Sequence, residues 1–153
     1  MISISAIIPT YRREKTLENL LIQLQNQTHP LEEIIVIDND SNQSAKIITN
    51  IFAHKNKKIQ YIHNKKGGIS MGRNIGIKKS SSSIVAFLDD DCVPANNWSK
   101  SIYSFYSKNK VPKVILMGNN QNGLLNSVIA TVEFYQTDLL FQCDFYTKNN
   151  TTY

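Results

Sequence analysis

Two clusters of acidic and amide residues each follow a short apolar run. Asp38, Asn39 and Asp40 come directly after residues 34–37, and an aspartate triplet of residues 89–91 comes directly after residues 84–88. Ligands in open parallel sheets bind outside the carboxyl ends of the strands. Carboxylate oxygens are the ligands that hard divalent cations prefer. We therefore expect both clusters to border a ligand site.

The aspartate triplet predicts a metal site. Three carboxylates at the end of a buried strand are costly unless a positive charge lies among them, and Mg²⁺, Mn²⁺ or Arg73 would supply it. In an extended segment alternate side chains face the same way, so Asp89 and Asp91 would converge while Asp90 points elsewhere. The alternative is a solvated acidic turn in which Asp91 caps the next helix.

The elements that must position these residues alternate along the chain. Short apolar runs separated by helical patterns predict an α/β fold, a mostly parallel sheet flanked by helices. Strands are predicted at residues 4–9, 34–37, 59–62, 84–88 and 114–117. Helices are predicted on the stripe Leu17, Leu20, Leu21 and Leu24, around Ile48, Ile51 and Phe52, from a Ser70 cap to Lys79, from Pro94 and Trp98 to Lys108, and more weakly over residues 124–141.

Composition favours one compact globular domain over the 153 residues, with 41% hydrophobic and 19% charged residues. The net charge is +5, and the lysines lie around turns and helix ends, not interleaved with aromatic residues as in a nucleic-acid-binding surface. They form either a solvated surface or one that attracts anionic lipid or a phosphorylated ligand. With Cys92 and Cys143 alone and no basic leader, we expect a cytoplasmic protein, with peripheral association at the inner face of the membrane.

Four separated motifs resemble family-2 glycosyltransferases in the order in which that family has them. They are Pro9-Thr10-Tyr11-Arg12-Arg13, Asp38-Asn39-Asp40-Ser41, Gly67-Gly68 with Gly72-Arg73-Asn74-Ile75-Gly76, and Asp89-Asp90-Asp91-Cys92-Val93-Pro94 followed by Trp98. The whole chain resembles the N-terminal, nucleotide-sugar-binding part of that family. The resemblance implies the GT-A fold and metal-dependent transfer of a sugar from a nucleotide diphosphate, in cell-envelope polysaccharide synthesis.

The resemblance also implies which residues bind the donor. The donor-binding residues would be Pro9, Thr10, Tyr11, Arg12, Asp38, Asn39, Gly68, Arg73, Asn74, Asp89 and Asp90, and Asp91 with Asp89 would hold Mg²⁺ or Mn²⁺. Asn39 stands where many relatives have aspartate, which leaves both UDP- and dTDP-linked donors open. Alternatives remain: Tyr11 packs, Asp40 or Ser41 caps a helix, and Cys92 is a small buried residue and not a ligand.

The resemblance places the catalytic base beyond Tyr153, so no catalytic residue is expected in this chain. Glu133 and Asp138 would be solvated positions of the weak helix. Residues 1–153 would then form a single GT-A-like domain, incomplete on the acceptor side, which transfers sugar poorly or not at all. Two alternatives are a non-catalytic nucleotide-sugar-binding module and a phospho-acceptor or phosphohydrolase domain that uses residues 89–91 around Mg²⁺.

Overall fold

A computed structural model describes residues 2–108 and 132–133. Strands and helices alternate through the first of these ranges, as the apolar pattern predicts. The strands are β1 (Ile4–Thr10), β2 (Glu33–Asp38), β3 (Ile59–His63), β4 (Ile84–Phe87) and β5 (Val132–Glu133). The helices are α1 (Glu14–Gln25), α2 (Lys46–Lys55), α3 (Ile69–Lys79) and α4 (Trp98–Lys108).

The strands form one sheet in the order β3-β2-β1-β4-β5. The first four are parallel, and β5 pairs antiparallel with β4. This confirms the predicted mostly parallel sheet flanked by helices. Because the parallel strands share a direction, the loops after β1, β2, β3 and β4 all leave from the same edge, and the predicted site residues follow those strands.

Helices cover both faces of the sheet. On β1, Ile8 packs into a cluster with the leucine stripe of α1 and with Trp98 at the start of α4. Ile7 points to the opposite face, where Ile75 of α3 packs. Both isoleucines are fully buried, as expected for a parallel strand enclosed on two sides.

Two local predictions are wrong. Helix α3 has Gly68 at its N-cap position and no side-chain cap, so Ser70 does not cap it. The chain turns into the helix through two glycines with positive φ (68° at Gly67 and 90° at Gly68), and Ser70 already lies inside the helix. The weak helix of residues 124–141 is a strand at Val132–Glu133, where pairing with the edge of β4 outweighs a poor helical pattern. The predicted strand 114–117, Asp138 and the rest of that weak helix lie outside the described residues.

Helix α4 begins at Trp98, so Asp91 does not cap it, and the capping part of the alternative for the triplet is wrong. Among the helices of the described residues, none has the length and apolar character that a membrane crossing would require.

Candidate functional site

Three loops meet at the carboxyl edge of the sheet through direct hydrogen bonds. The backbone N–H of Asn39, after β2, donates to the carbonyl oxygen of Thr10, at the end of β1 (2.9 Å). The Thr10 hydroxyl donates to Asp90 Oδ2, after β4 (2.7 Å). Thr10 therefore connects the two acidic clusters that the sequence places in different segments.

The aspartate triplet forms a turn and not the predicted extended segment, but Asp90 lies apart from Asp89 and Asp91 as predicted. The convergence of Asp89 and Asp91 stays a prediction. The N–H of Cys92 donates to the carbonyl of Asp89 (3.0 Å), which closes a turn over the triplet. The side chains of Asp89 and Asp91 are each 55% exposed, whereas Asp90 is only 5% exposed. Asp89 and Asp91 are thus available to a ligand, and Asp90 faces the protein.

Arg13 contacts both the buried Asp90 and the exposed Asp91. Its Nη1 lies 2.7 Å from Asp91 Oδ2 and 3.2 Å from Asp90 Oδ1. Burial raises the pKa of Asp90, although the Thr10 hydrogen bond and the Arg13 charge act to lower it. A guanidinium thus supplies the positive charge that the sequence analysis assigned to a metal ion or to Arg73.

Arg73 contacts Asp89, the remaining acid of the triplet. Its Nη2 lies 3.5 Å from Asp89 Oδ1, and its guanidinium lies 5.5 Å from the centre of the Phe87 ring. Arg73 Nε is buried and has no hydrogen-bond partner among the described residues. Asn74 follows it on α3 and is half-buried. The glycine turn and helix predicted around these two residues are present, and Arg73 keeps one donor unused.

The loop after β1 presents two neighbouring side chains. Pro9 and Thr10 are buried at the end of the strand, whereas Tyr11 is 53% exposed and does not pack into the core. Arg12 has a left-handed backbone (φ 53°), an uncommon conformation that clusters at functional sites. Its guanidinium lies 5.0 Å from the Tyr11 ring centre and its Nε donates to Asp40 Oδ1 (3.2 Å).

Asp40 is the buried ion-pair partner of Arg12 and not a helix cap. Burial acts to raise its pKa, but the hydrogen bonds from the Asn42 backbone and from Arg12 outweigh it and lower the pKa. Helix α2 begins at Lys46, with Ala45 at its N-cap position. The predicted capping role of Asp40 or Ser41 is therefore wrong, because the loop continues past both before the helix begins.

Asp38 lies inside the protein. Its carboxylate accepts hydrogen bonds from the N–H groups of Asp40 and Ala45 (2.9 Å each) and from the Tyr61 hydroxyl (3.1 Å), and the residue is fully buried. It therefore shapes the loop between β2 and α2. A contact between Asp38 and a nucleobase stays a prediction.

Asn39 has a fixed amide. Its Nδ2 donates to the Thr10 carbonyl (3.2 Å), and its Oδ1 accepts from Nδ2 of Asn64 (2.7 Å), a residue after β3. Gly72 lies beneath it, where an added Cβ would stand 3.1 Å from Asn39 Oδ1. An aspartate at position 39 could not donate to Thr10, which is a physical reason for the amide in this chain.

Cys92 lies beside the triplet as a neutral thiol. Burial raises its pKa to about 11, so without a metal ion it stays protonated at neutral pH. It packs, partly buried, against the core cluster. Its place beside the triplet is structural.

The carboxylates fit a cation that takes only part of its coordination from protein. Within the described residues, no group of three or more His, Cys, Asp and Glu side chains is placed to hold a metal ion. Mg²⁺ typically takes one or two carboxylates and completes its shell with water and substrate phosphates. Asp89 and Asp91, exposed and oxygen-bearing, match that requirement, and the guanidinium of Arg73 lies beside Asp89.

Arg13 and Asn64 were not predicted as site residues. Arg13 follows Arg12 directly, and the sequence offers no way to tell which arginine turns to the triplet; the left-handed backbone of Arg12 decides it. Asn64 precedes Lys65 and Lys66 in a stretch that looks like a plain polar turn. Its only signal was its position at the end of a predicted strand.

Comparison with known proteins identifies the family. The model of "Glycosyl transferase family 2" matches residues 5–148. An uncharacterized glycosyltransferase of Rickettsia bellii (strain RML369-C) is 42% identical over 88 residues, which are 58% of this chain and 13% of that protein. Glycosyltransferase AglE of Haloferax volcanii is 37% identical over 99 residues, 62% of this chain and 32% of AglE. The chain thus spans a third or less of these relatives.

A solved structure agrees with this assignment. The crystal structure of S. aureus TarS 1-349 in complex with UDP-GlcNAc has 25% sequence identity and a TM-score of 0.66, and the match covers 80% of this chain and 36% of that one. The family match favours a glycosyltransferase over the phospho-acceptor or phosphohydrolase alternative. The chain belongs to glycosyltransferase family 2, an enzyme family, and has the GT-A fold.

Proposed function

We propose that this chain binds a nucleotide-diphosphate sugar, UDP- or dTDP-linked, through Mg²⁺ or Mn²⁺, for transfer of the sugar to an acceptor. The observation that carries the proposal is the pair of exposed carboxylates, Asp89 and Asp91, above the buried Asp90 at the carboxyl edge of a parallel sheet. The relative solved with UDP-GlcNAc supports a nucleotide sugar as the ligand.

Asp91, with Asp89, would hold the metal ion, and Arg73 would pair with the diphosphate. When bound, the ion stabilises the charge that develops on the leaving nucleoside diphosphate. Arg73 lies at Asp89 and its side chain is 33% exposed, and a guanidinium fork suits phosphate oxygens. The two exposed acids and the arginine would therefore bind and orient the reacting end of the donor.

The nucleobase would lie against the loop after β1. Tyr11 is exposed there for stacking, with Arg12 beside it. Asn39 Oδ1 has one lone pair left after the bond from Asn64 and can accept from a pyrimidine N–H. Uracil and thymine share that N–H, so this contact admits both UDP- and dTDP-linked donors.

A cytoplasmic location at the inner face of the membrane is part of the proposal. It is supported by the net charge of +5, which favours contact with anionic lipid headgroups. Sedimentation of the chain with vesicles that contain or lack anionic lipid would test the lipid contact.

Calorimetry of the 153-residue chain with UDP, with and without Mn²⁺, tests the binding proposal. We expect metal-dependent binding that Asp91→Ala reduces by about 100-fold or more, because the ion loses a carboxylate ligand. Glu32→Ala is the matched control, since Glu32 is an exposed acid of the opposite sheet edge, paired with Lys58 at 3.6 Å. Unchanged UDP affinity in Asp91→Ala would contradict the site.

Turnover then separates the two functions that share this site. Binding with sugar transfer to an acceptor supports an enzyme domain. Metal-dependent binding without transfer to an acceptor supports a nucleotide-sugar-binding module.

A further inference from the structure

Arg13 contacts Asp91, a carboxylate that the proposed function assigns to the metal ion. One nitrogen, Nη1, contacts Asp91 at 2.7 Å and Asp90 at 3.2 Å. An exposed carboxylate bonded in this way offers the ion fewer free lone pairs, and the guanidinium charge repels a dication. A metal ion that binds Asp91 must therefore compete with Arg13.

The contacts of Arg13 differ in how easily they give way. Asp90 is 5% exposed and is also held by Thr10, so its position is fixed. Asp91 and the Arg13 side chain are 55% and 53% exposed. The Arg13 backbone is anchored, because its carbonyl accepts hydrogen bonds from the Leu17 N–H (3.0 Å) and the Thr16 hydroxyl (3.1 Å). Only the side chain is free to leave Asp91.

The energy of the Arg13–Asp91 contact is small enough to be exchanged. Exposed ion pairs are weak, so Arg13 lowers the metal affinity severalfold and does not block the ion. A surface depression lined by Arg12, Arg13, Glu14, Lys15, Thr16 and Asp91 gives the guanidinium room beside the triplet. A diphosphate bound on the triplet would offer it new acceptor oxygens.

We propose that Arg13 couples the two ligands of the site: it weakens metal binding when no nucleotide is present and transfers from Asp91 to the diphosphate when both bind. Arg13 is thus a positioning residue with opposite effects on the two affinities. This inference rests on the proposed function. A residue that only neutralised the buried Asp90 would affect stability and would not move the two affinities in opposite directions.

Arg13→Gln and Lys15→Gln separate this role from simple loss of charge. Both remove one positive charge from the same depression, but only Arg13 contacts the triplet. We expect Arg13→Gln to bind Mn²⁺ alone about three- to tenfold more tightly, and UDP in the presence of Mn²⁺ about tenfold more weakly. Lys15→Gln should leave both affinities within about twofold. Electron paramagnetic resonance of free Mn²⁺ and calorimetry with UDP measure the two quantities.

The coupling would be overturned if the two variants shifted the affinities equally, or if Arg13→Gln did not bind Mn²⁺ more tightly. Metal-dependent UDP binding by the unmodified chain would still uphold the proposed function in that case. If the unmodified chain shows no such binding, both fail together. Arg13→Lys keeps the proposal testable if Arg13→Gln does not fold. The lysine keeps the positive charge but lacks the paired N–H donors of a guanidinium. Unchanged affinity for both ligands in that variant would also overturn the coupling.

Discussion

Strand β1 carries a buried hydroxyl near each end, and each donates to a carboxylate. The Ser5 hydroxyl lies 2.6 Å from Glu33 Oε2 at the amino edge of the sheet, and the Thr10 hydroxyl lies 2.7 Å from Asp90 Oδ2 at the carboxyl edge. The two bonds are alike in chemistry and length. Their surroundings differ.

At the amino edge the carboxylate is satisfied by neutral donors. Glu33 also accepts from the N–H and the hydroxyl of Ser81 (3.1 and 2.7 Å), and the Ser80 hydroxyl donates to Ser5 (2.8 Å). These bonds connect β1, β2 and the turn before β4. The result is a closed clamp with no obvious place for a ligand.

At the carboxyl edge the acids are held by arginines whose side chains are 33% (Arg73) and 53% (Arg13) exposed. Asp90 shares Arg13 with the exposed Asp91, and Arg73 holds the exposed Asp89. Exposed arginines can exchange these partners for a ligand at little cost. A polar cluster at a strand end is thus a site only when its partners are replaceable, and acidic composition alone does not reveal that.

Helix α3 extends the comparison, because one glycine of the helix faces the core and another faces the site. A Cβ at Gly76 would lie 2.4 Å from Ile7 Cγ2. We expect Gly76→Ala to lower the free energy of unfolding by about 2 kcal/mol, since overpacking costs up to ~3 kcal/mol and alanine's helix propensity offsets ~1 kcal/mol. Urea denaturation measures this change.

Gly72→Ala is the matched substitution one turn earlier. Its Cβ would stand 3.1 Å from Asn39 Oδ1, a contact that a shift of a few tenths of an ångström relieves, so stability should stay within about 1 kcal/mol. UDP affinity should fall, because Asn39 moves. If Gly76→Ala proved the milder change in stability, the described packing of α3 on β1 would be wrong.

Thr10→Val and Ser5→Ala test the two ends of β1 directly. Each removes one hydroxyl donor from a carboxylate that keeps other partners, so each should lower the free energy of unfolding by about 1 kcal/mol. Only Thr10→Val should weaken UDP binding in the presence of Mn²⁺, by about fivefold, because Asp90 and with it Arg13 lose their support. Equal UDP affinities in the two variants would remove the distinction between clamp and site.

Much of this arrangement could be predicted from the sequence. Apolar runs and leucine spacing gave the four parallel strands and helix α1, because burial on two faces leaves a pattern that needs no tertiary information. The separation of Asp90 from Asp89 and Asp91 was also predicted, although from an extended backbone where the triplet forms a turn.

The partners of these residues could not be predicted. Whether Arg12 or Arg13 reaches the triplet depends on one left-handed backbone angle, and Asn64 meets Asn39 only because β3 lies beside β2. The inward turn of Asp38 likewise depends on Tyr61 of the neighbouring strand. Strand β5 arises from pairing with a distant segment, which local periodicity does not record.

Acid should affect the two ends of β1 in opposite directions, which is the smallest of the expected effects. At the amino edge, burial acts to raise the pKa of Glu33, but the hydrogen bonds from Ser5 and Ser81 outweigh it, so the pKa falls below its ordinary 4.5. Glu33 therefore contributes stability that is fully present above pH 4.5 and is lost as the pH falls through the lowered pKa. At the carboxyl edge, burial raises the pKa of Asp90 above its ordinary 3.8, so its contribution is present below pH 3.8 and is lost as the pH rises through the raised pKa.

Urea unfolding of the unmodified chain, Glu33→Gln and Asp90→Asn at about pH 7 and about pH 4 measures these contributions. From neutral to acid pH, the unmodified chain should lose stability relative to Glu33→Gln and gain stability relative to Asp90→Asn. The cause is that the native state binds fewer protons than the unfolded chain at Glu33 and more at Asp90. Movement of both differences in the same direction would mean that the two carboxylates are held alike, and the contrast between a closed clamp and an exchangeable site would then have no basis in their electrostatics.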